Sequence, residues 1–191
     1  MGAGGTGGSA GDSMKAQPHY VPVLRTRRGE FAALKHLTAT QRGALTPLME
    51  VPPLPCDPAT GQPQTTIEKH LKDVGKSIAI ACGGTARTMI DTNNVDGKLM
   101  PKTVHPLEDI LNGARSAGAI IVPVCGLLRS VAHDDAVKRA AKIDKQGVCV
   151  RIEARLVDDF VDLARSVDAL LKRVGADPST ADLVLDFGST M

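Results

Sequence analysis

Six short apolar runs recur along this chain, and a segment of helical periodicity separates each from the next. The runs are Tyr20–Leu24, Leu45–Val51, Thr85–Asp91, Ala119–Val124, Val148–Glu153 and Asp182–Phe187. Their starts fall about 25 to 40 residues apart, close to the ~30 residues of a β-α-β unit. Two strands joined through a helix lie parallel and wind right-handed. Strict alternation therefore predicts an α/β fold built on a parallel sheet.

The intervening segments carry helix signals. Glu30 opens one in which Phe31, Leu34 and Leu37 share a face, and Gly43 ends it. Thr66 caps a second, with Ile67, Leu71, Val74 and Ile78 inward, up to Gly83-Gly84. Pro106 suits the first turn of a third, with Leu107, Ile110, Leu111 and Ala114 inward. Ser130 caps a fourth, to about Lys145, on a thin stripe of Val131, Val137, Ala140 and Ala141. The longest carries Leu156, Phe160, Leu163, Val167, Leu170 and Val174, and Gly175 and Pro178 stop it. The loop 52–66 holds five prolines, a stiff connection of the length that is often functional. Before the first strand, residues 1–17 are Gly- and Ser-rich and are expected to be a disordered tail, leaving 18–191 as a single α/β domain.

Composition narrows the function classes. Aromatics are 2% of the chain, with no Trp, so the core is built from Val, Leu, Ile and Ala and lacks stacking platforms for single-stranded nucleic acid. A net charge of +2 argues in the same direction. No apolar run approaches the ~20 residues that span a bilayer, so the reading has no membrane partner. Cys56, Cys82, Cys125 and Cys149 lack zinc or redox spacing and read as free thiols of a reducing cytoplasm.

The pattern Tyr20-Val21-Pro22-Val23-Leu24, then Gly29-Glu30, Ala33-Leu34 and Leu37, then Thr46-Pro47-Leu48-Met49-Glu50-Val51-Pro52 resembles the opening of the beta protein family, named for a T-even phage protein. A looser likeness continues at Ile121–Val124, Val150–Ile152 and Leu183–Asp186. The resemblance implies a phage or prophage type of protein and supplies no reaction and no catalytic residue. Members are usually longer, so the chain is expected to be an N-terminal part. Two architectures stay open. One is an incomplete TIM-like (β/α) barrel of about six βα units, favoured by the repeat and the family's length. The other is an open doubly wound sheet. Either leaves the outer strands with exposed edges, which invite self-association.

In both, the site lies at the carboxyl ends of the strands. Those ends carry Arg25, Glu50, Asp91, Arg151, Glu153 and Asp186. Charged groups are rarely buried alone, so these should meet each other, water, an ion or a ligand. Glu50, Asp91 and Asp186 could hold Mg²⁺, with Arg25 and Arg151 clamping a phosphate, which would make a metal-dependent phosphoester hydrolase or lyase. The same ring could be a metal-free pocket for a polar metabolite, or a salt-bridge network at a barrel rim. Whether the chain is an enzyme stays open. The five histidines read as surface or capping residues. Gly2, Gly4 and Gly7 spell a dinucleotide motif without the strand it needs, and Asp186-Phe187-Gly188 spells a kinase tripeptide without its catalytic loop.

Overall fold

A computed structural model describes residues 19–84, 86–98, 100, 104–157 and 159–188. The tail expected over 1–17, with its glycine motif, lies outside them, as does part of the loop 92–103. Six strands are present: β1 (Val23–Arg25), β2 (Leu48–Glu50), β3 (Arg87–Asp91), β4 (Ile120–Cys125), β5 (Val148–Glu153) and β6 (Ala181–Asp186). Every neighbouring pair is parallel, and the sheet order is β1-β2-β3-β4-β5-β6. A doubly wound sheet reverses its strand order at a switch point. Here the order never reverses, so the fold is a curled half-barrel.

The two-residue period divides the sheet into two faces. Met49, Ile90, Ile121, Val148, Val150 and Ile152 point outward into the main core against the helices. Leu48, Met89, Val122, Val124 and Cys149 form a smaller cluster on the concave face. Two ion-pair systems cross that face, Arg87 with Asp182 at one end and Arg151 with Glu50, Asp91 and Asp186 at the other. In a flat sheet β2 and β6 would lie about 19 Å apart, too far for upright side chains to share one guanidinium. The sheet must therefore curl for Glu50 and Asp186 to meet on Arg151.

The helical segments differ in detail from the sequence expectation. The first is two helices, α1 (Arg28–Lys35) and α2 (Ala39–Gly43). Thr38 restarts the chain with a capping box completed by Gln41. The second is also two, α3 (Ile67–Leu71) and α4 (Val74–Cys82), because Asp73 adopts a left-handed φ of 57° between them. The break re-aims the chain so that Gly75 backs onto α5 (Pro106–Ser116), where an added Cβ would lie 2.1 Å from the Ile110 carbonyl oxygen. The fourth is α6 (Val131–Asp144), capped by Ser130 as expected. Its inward stripe is His133, Ala136, Val137 and Ala140, while Val131 is exposed. The last is α7 (Phe160–Val174), capped by Asp159; Leu156 falls in a short 3-10 turn ahead of it. At the first strand, Pro22 has no N–H for the ladder, so regular pairing begins at Val23, preceded by one bridge from Tyr20 to Leu45.

These contacts assign two glycines opposite fates. Gly75→Ala should destabilise the protein by about 1–3 kcal/mol, since backbone atoms of α5 cannot retreat as a side chain would. Gly29→Ala, inside α1 with nothing within 4 Å of its would-be Cβ, should stabilise by up to about 1 kcal/mol. Urea midpoints of the two variants check both signs.

Candidate functional site

Four of the six strands deliver a side chain to the carboxyl-end rim by the same step of two residues. Leu48 leads to Glu50, Met89 to Asp91, Cys149 to Arg151, and Val184 to Asp186. Register aligns Glu50 with Asp91 across β2 and β3. The concave packing below thus fixes which residues meet above it.

Arg151 is the hub. Its Nη1 donates to Glu50 Oε2 at 2.8 Å and to Asp91 Oδ2 at 2.7 Å; Nη2 and Nε both donate to Asp186 Oδ2, at 2.6 and 3.0 Å. Four of the five donors of a guanidinium are consumed. Burial works against the charge of Arg151, but the hydrogen bonds to Glu50, Asp91 and Asp186 outweigh it and hold its pKa above the ordinary value. Asp186 is shifted down, first by the Gly188 N–H and then by Arg151. Asp91 is fully buried and accepts also from Arg129 Nη2 at 3.1 Å and from the Asn93 N–H at 2.9 Å. A buried carboxylate is tolerable only with such a set of partners.

Of the six residues singled out in the sequence, the structure brings together Glu50, Asp91, Arg151 and Asp186. Arg25 sits in register with Glu50, but its side chain is exposed and makes no ion pair among the described residues. Glu153 pairs with Arg155 at 2.7 Å in an exposed contact. Two contributors escaped the sequence reading. Asn94 donates to Glu50 Oε1 at 3.2 Å and to the Val51 carbonyl at 3.0 Å. Arg129 lies just before the cap of α6. Both stand in loops that follow strands, and reading those loops along with the strand ends would have found them.

A second polar cluster supports these two loops. The Asp96 carboxylate accepts from the Ser130 N–H and hydroxyl, from the Gly97 N–H and from His105 Nε2. It thereby ties the loop carrying Asn94 to the start of α6 beside Arg129. Burial opposes ionisation of Asp96, yet the Ser130 and His105 bonds pull its pKa down to about 2. His105 Nδ1 accepts from the Leu107 N–H at 3.1 Å, so the proton of the neutral ring is on Nε2, facing Asp96. His105 is a cap, as expected, but a buried one. His133 is fully buried and meets His105 edge to face, ring centroids 5.2 Å apart; the expectation of a surface or capping residue fails because its position falls on the inward stripe of α6.

Above the hub opens a pocket of about 300 Å³, whose walls include Glu50, Asn94, Arg129, Arg151, Asp186 and Phe187. Among the described residues, no group of three or more His, Cys, Asp or Glu is arranged to hold a metal ion. Where the metal reading needs an open cradle between Glu50, Asp91 and Asp186, the Arg151 guanidinium stands. Burial pushes the Cys125 and Cys149 thiols up to about 12, which makes them inert as nucleophiles. No helix among the described residues is long and apolar enough to cross a membrane.

The hub predicts a large asymmetry between arginines. Arg151→Ala, which removes one of the two guanidiniums that meet the buried Asp91, should cost about 3–5 kcal/mol in denaturant unfolding. Arg155→Ala, on the surface, should change stability by under about 0.5 kcal/mol. The latch predicts a pH dependence. Burial lowers the His105 pKa below 6.5, so its contribution is complete above that value. As pH falls below 6.5 the unfolded chain takes up a proton that the folded ring refuses, and stability drops. Asp96 adds a second loss as pH falls from 3.8 towards 2. Urea midpoints against pH should show both, and His105→Gln should abolish the first while only reducing the second, because the Ser130 bonds to Asp96 remain.

Compared with known proteins, residues 20–191 match the family model described as Beta protein. No curated protein matches the chain.

Proposed function

The chain belongs to the Beta protein family, and from that premise we propose that its strand-end pocket is a metal-free binding site for a small, donor-rich polar ligand. The observation that carries this reading is the imbalance at the pocket floor. Glu50, Glu153 and Asp186 line it and Asp91 lies buried beneath, four carboxylates against the three guanidiniums of Arg129, Arg151 and Arg155. Arg151 has spent four of its five donors, while Glu50 and Asp186 keep unused lone pairs at partly exposed oxygens. Such a floor favours ammonium or hydroxyl groups over phosphate. Phe187, 74% exposed at the wall, offers an apolar surface for the rest of the ligand.

This reading differs from a metal-dependent phosphoester hydrolase in both the ion and the substrate it expects. Of the two arginines that such an enzyme would turn to phosphate, Arg151 is already bound to carboxylates and Arg25 is exposed on the outer strand, away from the hub. In the same reading the protein is of phage or prophage type and works in a reducing cytoplasm. Its four free cysteines, three of them buried, suit that compartment.

Thermal-shift titration distinguishes the two. Glucosamine and putrescine should raise the melting temperature in a saturable way, as ligands that bind the folded state do. Glu50→Gln should weaken that response. Stabilisation by inorganic phosphate, or by Mg²⁺ and reversed by EDTA, would favour the hydrolase. The absence of any shift with the amines would overturn the donor-rich reading.

A further inference from the structure

We propose that the groove between α1 and α4 is a docking site for an acidic amphipathic helix of a partner protein. Ion pairing divides the arginines of this chain into two groups. All eight from Arg87 onward form an ion pair. Among the described residues none of the four between residues 25 and 42 does, and neither does Lys35. Glu30 is the one carboxylate of that segment, which therefore carries +4 in a chain whose total is +2. Arg25, Arg27, Arg28 and Lys35 are all exposed.

Two of these charges border a groove. Arg28 and Lys35 stand at the two ends of α1, about 10 Å apart along the helix axis. Phe31 and Ala32 lie between them, and Ser77 and Ile80 of α4 line the other side of a groove of about 580 Å³. Ile80 is 62% exposed there. Among the described residues no carboxylate lines this groove. It is not an open edge of the sheet. In the chain α1 lies between β1 and β2, and α4 between β2 and β3, and these strands pair with one another. Both walls are therefore internal to the fold.

The order of charge and apolar surface selects the occupant. Along α1 the groove reads cation, apolar pair, cation. Its complement is a helix with carboxylates at i and i+7 and apolar residues at i+3 and i+4, a pattern that is the same in either direction. One phosphate is too small to meet both cations, and the apolar strip between them suits the ridge of a third helix. The chain does not supply that helix itself. Residues 1–17 hold a single carboxylate, Asp12. None of the described helices has carboxylates at i and i+7 around apolar residues at i+3 and i+4, so a second copy is a poor match.

The test uses the full chain and two labelled helical peptides of about 16 residues, one with Glu at i and i+7 around Leu at i+3 and i+4, the other with Lys in place of Glu. In fluorescence anisotropy the Glu peptide should bind saturably, and the Lys peptide at least about tenfold more weakly. Hydrogen exchange should slow in α1 and α4 when the Glu peptide is bound. The double variant Arg28→Glu, Lys35→Glu alters exposed residues that form no ion pair, and should keep its melting transition while switching its preference to the Lys peptide. Ile80→Ser should weaken the Glu peptide without changing which peptide is preferred. Equal binding of both peptides, binding of neither, or an unchanged preference in the double variant overturns the proposal. Tighter binding to phosphatidylserine vesicles or to duplex DNA than to the Glu peptide overturns it in favour of an anionic membrane or a phosphate backbone.

Discussion

Arg151 is the constraint on which the rest of the molecule hangs. It lies on β5 and binds carboxylates from β2, β3 and β6, so one planar cation joins four of the six strands. Its geometry holds only if the sheet curls, and the curl is what gives the protein a concave face. The arrangement is unforgiving, because Asp91 is fully buried and its charge must be met by Arg151 and Arg129 together. Charges of this kind contribute less to net stability than to specifying a single geometry, since a wrong register would strand them.

The architecture was legible because the signals for it are local and repeated. Apolar runs at β-α-β spacing, with Gly or Pro punctuation, forced a parallel sheet before any contact was known. The breaks within the first two helical segments were hidden for a physical reason. Leu34 and Leu37, or Leu71 and Val74, keep helical spacing across a break, so periodicity alone reads straight through it. What breaks the chain at Asp73 is the demand that Gly75 touch α5, a contact distant in sequence.

The site was half legible. Glu50, Asp91, Arg151 and Asp186 follow from strand ends and alternation. Their mutual pairing does not, because the sequence cannot say how strongly a sheet curls. Arg25 shows the limit: it occupies the right register position at an outer strand that carries it away from the hub. Asp96, His105 and Ser130 lay in loops where no periodicity operates, and only the folded chain shows them converging behind Asn94 and Arg129.

The two ion-pair systems that cross the concave face differ in their exposure to solvent. Arg87 and Asp182 are 33% and 38% exposed, while Arg151 and Asp91 are 13% and 0%. Dissolved ions screen the first and barely reach the second. The half-barrel thus has one mouth whose ion pair weakens as ionic strength rises and one whose ion pairs salt hardly touches, and the pocket opens at the second.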